Sequence, residues 1–316
     1  MTERKPLVFA VKHKKIEERM ESRSGGIFTA VSDVILEQGG VIYGCILNKD
    51  MHVVHTRAET KEERNRMRGS KYVQSRMGDT FRQVKRDLED GRKVLFTGTF
   101  CQVEGLKSFL MKPYDNLYCV DIICHSVPSP LVYQHYLQWK EKKYGKIENL
   151  NFRNKKDFGW HSHFETLSFK NKTKSDRVWT SIFYSDLFIR PSCYECPYKT
   201  ILHKSDITIG DYWGIEKAAP DFDDNKGVSL VLINSDAGYE LFKESQKDLD
   251  YKETRLEDSM QKPLYEPSLK PKGREKAWRD FSEMSFDEFS KKYGRNGLKQ
   301  KIKMYIYRFN NLIGRY

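Results

Sequence analysis

The chain has 316 residues, 38% of them hydrophobic and 13% aromatic, enough apolar material for a globular core of one large or two modest domains and too much for a disordered polypeptide. Its 56 Lys and Arg against 44 Asp and Glu give a net charge of +12, which favours anionic partners such as phosphorylated cofactors, acidic proteins or anionic lipid. No nucleic-acid motif accompanies that charge, and no long apolar run reads as a secretory signal or a spanning helix, so the expected setting is cytoplasmic.

In chain order, Ser24-Gly25-Gly26 opens a helical pattern with Ile27, Val31, Val34 and Ile35 on one face and a stop at Gly39-Gly40. Val41 to Leu47 and His52 to Arg57 read as two strands joined by the turn Asn48-Lys49-Asp50, and Thr80 to Leu88 as a helix. Val94-Leu95-Phe96 is a short apolar strand of the sheet-interior kind that runs through Thr97-Gly98-Thr99 into a helix from Gln102 to Leu110. The same strand, loop, helix order recurs at Leu117 to Ile123 and Leu131 to Tyr144. Further on, His163 to Phe169, Asp206 to Gly210 and Val228 to Ile233 read as strands, and Ala237 to Gln246 as a helix capped by Asp236.

A Pro- and Lys-rich stretch, Lys262 to Lys272, reads as a linker, which divides the chain into a domain over 1–262 and a helical appendage over 263–316. The fold class predicted is α/β, or mixed α+β, with a mixed sheet flanked by helices and a C-terminal helical appendage. In that appendage no acidic residue follows Phe289, while Lys291, Lys292, Arg295, Lys299, Lys301, Lys303, Arg308 and Arg315 are basic. Leu298, Ile302, Tyr305, Ile306, Phe309, Leu312 and Ile313 fall at helical spacing, which suits either peripheral contact with an anionic membrane or packing on the protein's own body.

The chemistry concentrates at cysteines. Cys193 and Cys196 form a C-x-x-C pair, whereas Cys101 and Cys124 each sit just past the carboxyl end of a predicted parallel strand, the edge where open α/β sheets bind ligands. Four such thiolates can hold zinc or an iron-sulfur cluster, and the single C-x-x-C knuckle leans toward iron-sulfur. Cys45 and Cys119 lie inside apolar strand runs and read as buried structural thiols. Loops able to cradle an anionic cofactor accompany the cysteines: Ser24, Gly25 and Gly26 at a helix start; Ser70, Lys71, Tyr72, Gln74 and Ser75; Thr97, Gly98 and Thr99; and Gly210 with Asp211. His125 and Lys71 are the candidates for steering charge or delivering a proton. No Ser/His/Asp triad, metalloprotease motif or Walker loop is present.

Taken in order, Ser-Arg-Ser-Gly-Gly-Ile-Phe (22–28), Gly-Ser-Lys-Tyr-Val-Gln-Ser (69–75), Gly-Thr-Phe-Cys-Gln-Val (98–103), Cys-His-Ser-Val-Pro-Ser-Pro (124–130), Arg-Pro-Ser-Cys-Tyr-Glu-Cys-Pro (190–197) and Asp-Ile-Thr-Ile-Gly-Asp-Tyr-Trp-Gly (206–214) resemble the coenzyme F420 hydrogenase/dehydrogenase beta-subunit family. The resemblance implies a flavin-dependent iron-sulfur oxidoreductase with non-covalent FAD, and a 4Fe-4S cluster on Cys101, Cys124, Cys193 and Cys196. It implies a small organic substrate or deazaflavin-like carrier, and for bacterial relatives a setting in surface-polysaccharide biosynthesis. Many relatives carry an N-terminal ferredoxin module, yet no cysteine precedes Cys45 here, so a separate ferredoxin-like electron donor or acceptor is expected. Phe100, Ser126 and His203 stand where the family usually has Pro, Gly and Arg. The competing reading is a non-catalytic module that holds structural zinc within a polysaccharide-assembly complex.

Overall fold

The computed structural model describes residues 5–314; Arg315, the last of the basic residues named above, lies outside them. In chain order the strands are β1 (Leu7–His13), β2 (Val41–Leu47), β3 (Val53–Ala58), β4 (Val94–Thr99), β5 (Leu117–Ile122), β6 (Ile147–Asn151), β7 (Glu165–Phe169), β8 (Lys172–Asp176), β9 (Ile207–Asp211), β10 (Ser229–Ile233) and β11 (Leu249–Thr254). Eight of them form one sheet in the order β11-β1-β10-β9-β5-β4-β2-β3, and β6-β7-β8 form a second, antiparallel sheet. The middle of the large sheet, β2, β4, β5 and β9, is parallel, while β3 closes one side and β10, β1 and β11 the other in antiparallel pairing. The expected mixed sheet flanked by helices, with helices at the C-terminal end, is what the chain forms.

The apolar runs that predicted sheet-interior strands are covered on both faces. Leu95, Val120 and Ile207 face a core under helices Ile27–Glu37 and Asp236–Ser245, and Val94, Phe96 and Cys119 face another under Thr80–Glu89 and Phe100–Leu110. Gly25 is set by packing: a Cβ there would stand 2.0 Å from the Val11 carbonyl oxygen and 2.5 Å from the Ser229 nitrogen, so only glycine lets the chain pass between β1 and β10. The helix over 236–245 is capped by Ser235, whose Oγ accepts from the Gly238 N–H at 3.0 Å, and not by Asp236 as predicted. Ser235 has the extended backbone that an N-cap needs, and Asp236 is already the first helical residue.

A second core joins helix Pro130–Tyr144, β6, β7 and helix Val178–Phe183 to the C-terminal helices Arg274–Glu283 and Phe286–Lys292, through Tyr136, Leu167, Trp179, Ala277 and Phe289. Leu264, inside the stretch read as a linker, is buried against Trp160 and Tyr212. Residues just past 262 therefore share cores with the body that precedes them, and the helix Leu298–Leu312 is the one long helix with no buried residue among those described. Among the described residues no helix is long and apolar enough to cross a membrane.

Candidate functional site

β4 and β5 are parallel neighbours with Thr99 opposite Ile122, so Cys101 and Cys124 leave the sheet side by side at its carboxyl edge. Cys101 is exposed in the first turn of helix Phe100–Leu110, where Thr99 Oγ1 lies 3.1 Å from its Sγ. Thr99 also caps that helix: its N–H donates to Gln102 Oε1 at 2.9 Å, and Gln102 Nε2 donates to Ser75 Oγ at 2.8 Å, which ties the 97–99 loop to the 70–75 segment. The Cys193-Cys196 segment arrives from the other sheet's side through a bridge between Pro128 and Ile189, with Arg190 N–H donating to Val127 O at 2.9 Å.

These contacts bring the four cysteines into one neighbourhood. Burial pushes the Cys124 thiol up to about 12, the Lys199 ammonium works against that, and charge on Cys101, Cys193 or Cys196 would raise it further. Cys193 is likewise raised, first by burial and then by Cys196 and Cys101, against a hydrogen bond from the Val127 backbone. Lys199 Nζ donates to the carbonyls of Cys124, of His125 at 3.2 Å and of Pro263 at 3.0 Å, so one cation gathers the Cys124 loop and the 263 region. Among the described residues no three His, Cys, Asp or Glu side chains converge closely enough to hold a single ion. Cys119 is buried as expected, whereas Cys45 is half-buried and its charge would act on Lys71.

Two of the three departures from the family motifs meet here. The Phe100 ring stacks on His203, with centroids 4.2 Å apart and planes 13° from parallel, and His203 Nδ1 lies 2.5 Å from Asp121 Oδ2. Asp121 is fully buried on β5, and its Oδ1, His203 Nε2 and the third departure, Ser126 Oγ, are buried with no protein partner. A stacked pair of this kind contributes about 0.5–1.5 kcal/mol beyond burial. A double-mutant cycle of Phe100→Ala and His203→Ala, read by urea unfolding, is expected to show coupling of about 1 kcal/mol; additive effects would mean the rings do not support each other.

A second cluster adjoins the cysteines. His125 pairs with Asp186, Nε2 to Oδ1 at 2.8 Å, and its ring touches Phe183 and Tyr184 at centroid distances of 5.3 and 5.4 Å. Phe183 stacks on Tyr72 at 4.7 Å, and Tyr72 leads to Arg153, whose Nη1 reaches the Tyr72 hydroxyl at 3.4 Å and Asp211 Oδ2 at 2.5 Å. Trp160 Nε1 donates to Asp211 Oδ1 at 2.8 Å, and Arg23 Nε stands 3.7 Å from Asp211 Oδ2. Trp213 stacks on Trp160 at 5.0 Å, with Arg153 over its ring and His163 at 5.7 Å.

Two guanidiniums thus face one carboxylate. Burial alone would raise the Asp211 carboxyl, but Arg153 and Arg23 hold it well below the ordinary carboxylate range. Arg23 is lowered to about 10, by burial and then by Arg153, and its Nε makes no hydrogen bond within the protein. His163 falls to about 2 through burial followed by Arg153 and Arg23, so it is neutral, with Nδ1 also unpartnered. The sequence does not single out Arg23, Arg153, Trp160, His163, Tyr184 or Trp213. Arg23 and Trp213 lie within the family motifs, but nothing local marks the other four.

The remaining predicted residues surround these clusters. Ser24 Oγ donates to Val228 O at 2.5 Å, and its carbonyl accepts from Lys155 Nζ at 2.8 Å. Gly26 begins its helix at φ 98°, a left-handed conformation that favours glycine. Lys71 spends its ammonium on the carbonyls of Met67 and Arg68, both at 2.8 Å, and burial lowers its pKa. Ser70 and Gln74 are half-buried beside it. Thr97 Oγ1 donates to Tyr43 O at 2.9 Å, and a Cβ on Gly98 would meet Gln102 Oε1 at 2.9 Å. A Cβ on Gly210 would stand 2.7 Å from Ile123 Cδ1, so this glycine lets the segment leading to Cys124 lie close to β9. A crevice of about 250 Å³ opens beside His125 and Asp186, walled by Lys262, Pro263, Glu266 and Leu269. A larger hollow of about 410 Å³, lined by Asp50, Met51 and Glu141, shares no residue with the cysteine loops.

His55 links the site to acid sensitivity. Its Nε2–H donates to Thr97 O at 3.0 Å, and burial lowers its pKa to about 4 while the Thr97 carbonyl opposes the shift. Between pH 6.5 and 4 the unfolded chain binds a proton at this ring that the folded chain does not, so stability falls as pH drops through that window. In His55→Gln the loss of unfolding free energy from pH 7 to 4.5 is expected to shrink by roughly 2–3 kcal/mol in urea titrations.

No curated protein matches the chain. Among solved structures it is similar to a chain of the F420-reducing NiFe hydrogenase complex from Methanosarcina barkeri, from a xenon-derivatization study. The TM-score is 0.54 and the identity 18%, over 79% of this chain and 82% of that one, a likeness of fold. Residues 91–259, which carry all four cysteines, match the family described as the C terminus of the coenzyme F420 hydrogenase/dehydrogenase beta subunit, and the chain belongs to that family.

Proposed function

We propose that this protein is a flavin-dependent iron-sulfur oxidoreductase, in which Cys101, Cys124, Cys193 and Cys196 hold a 4Fe-4S cluster and the adjoining residues around Arg23, Arg153 and Asp211 hold FAD. The observation that carries the reading is the gathering of four thiols from three separate segments, near enough that charge on Cys101, Cys193 or Cys196 acts on Cys124, and charge on Cys196 or Cys101 acts on Cys193. A four-iron cluster binds each thiolate through its own iron, so its ligands share a neighbourhood without converging on one point. The flavin reading is supported by charge: two guanidiniums facing one carboxylate leave positive charge for a phosphate or an electron-rich ring. Arg23 Nε and His163 Nδ1 are buried polar atoms that await a partner of that kind.

When bound, the cluster supplies one-electron transfer and FAD the exchange of two electrons with an organic substrate or deazaflavin-like carrier. The chain's own residues do the rest. Lys199 eases deprotonation of Cys124 and fixes the carbonyls of Cys124 and His125. Lys71 anchors the loop that presents Ser70, Tyr72, Gln74 and Ser75, through the Met67 and Arg68 carbonyls. His125 is oriented by Asp186 at the wall of the 250 Å³ crevice, where a small substrate would enter. Cys101, the exposed thiol, marks the side from which a ferredoxin-like protein would exchange electrons. For bacterial relatives surface-polysaccharide biosynthesis is the expected setting.

Purification without oxygen, followed by metal and flavin analysis, tests the proposal. The expected result is a brown protein with about four irons per chain, as one cluster requires, and one FAD. A colourless protein that carries one zinc and no flavin would overturn it and restore the structural-zinc reading.

A further inference from the structure

The helix Leu298–Leu312 is attached to the body by the face that surface helices usually turn outward. Gln300, Met304, Tyr307, Asn310 and Asn311 are its half-buried positions. They meet the helix Lys155–Phe158 and β8: the Tyr307 ring lies edge-on to Phe164 at 5.8 Å, and Asn311 Nδ2 donates to Lys156 O at 2.9 Å. On the opposite face Leu298, Ile302, Tyr305, Ile306, Phe309 and Leu312 form a stripe, each between 52% and 76% exposed. At about 100° per residue Lys299 and Lys301 fall on the two borders of that stripe.

We propose that this helix lies in the plane of an anionic bilayer surface, its apolar stripe among the acyl chains and its lysines at the lipid phosphates. Packing on the protein's own body, the alternative for such a helix, is already accomplished by the other face and leaves the stripe bare. Charge complementarity selects the occupant. No acidic residue follows Glu288, so a second copy would set the same lysines against each other, whereas anionic headgroups neutralise them. Fifteen residues with basic borders lie on a membrane and do not cross it.

The test uses the full-length protein with vesicles of phosphatidylcholine alone, or of phosphatidylcholine and phosphatidylglycerol in equal parts. Sedimentation with the mixed vesicles and not the neutral ones is expected, and raised salt should release the protein. Lys299→Gln and Lys301→Gln should each weaken partition about five-fold. Ile306→Glu should abolish it with the melting temperature unchanged, because Ile306 is exposed. In Tyr305→Trp the new fluorophore's emission should shift to the blue when mixed vesicles are added. Failure to sediment with phosphatidylglycerol vesicles at low salt would overturn the proposal. So would a lipid-free dimer that Ile306→Glu splits, which would assign the stripe to a second copy.

Discussion

Cys124→Ala is expected to abolish iron binding in protein prepared without oxygen, with loss of the broad visible absorbance, while far-UV circular dichroism stays that of the wild type. Cys124 leaves the sheet next to Cys101 and is the thiol on which the other three act most clearly, so its removal takes away one corner of the proposed cluster and leaves the strand that leads to it intact. The comparison is Cys119→Ala, within that strand. Cys119 is buried, with its thiol pushed up to about 12 by burial, and it faces the core under helix Phe100–Leu110. That variant should lose at most about 1–2 kcal/mol of stability to the small void and keep its full iron content. Equal iron in both variants would remove Cys124 from the site.

Asp211→Asn is expected to cost about 3–5 kcal/mol in urea unfolding and to lose flavin. The carboxylate is the counter-charge of both Arg153 and Arg23, whose side chains are 2% and 9% exposed, and an amide would leave two guanidiniums buried against each other. A second substitution sharpens the test. Adding Arg153→Gln removes one of the stranded charges, so the double variant should recover part of the stability lost by Asp211→Asn while remaining unable to bind flavin. If instead the single variant is as stable as the wild type, the two guanidiniums are hydrated well enough to do without the Asp211 counter-charge.

Much of the sheet was legible because its strands carry local signals. Val94-Leu95-Phe96 and Leu117 to Ile122 are apolar on both faces, and reading them as neighbours places Cys101 and Cys124 at one edge, where the structure has them. β1 and β11 escape such a reading for a physical reason: Leu7–His13 sits within a charged N-terminal stretch, and Leu249–Thr254 is a polar edge strand whose side chains are mostly exposed. The approach of Cys193 and Cys196 was illegible as geometry, since it rests on backbone contacts between Val127, Pro128, Ile189 and Arg190 that any side chains could make. Arg153 carries no local mark because its partner Asp211 lies on a strand of the other sheet, 58 residues later, and Phe152-Arg153-Asn154 has no pattern of its own. Gly25 reads as a residue for close ligand approach, and the close approach found at it is that of β1 and β10.

The place of β1 bears on how the chain is made. It pairs on both edges with strands at 229–233 and 249–254, so it leaves the ribosome more than 200 residues before its neighbours. At roughly 5–20 residues per second, that wait is on the order of ten to fifty seconds, during which Leu7, Phe9 and Val11 have no sheet to join. The parallel middle of the sheet can assemble meanwhile, but the sheet is complete only after β11 has been made. Truncations that remove β11 are therefore expected to strand one edge of β1 as well, and chaperone dependence should track the delay between β1 and its two partner strands.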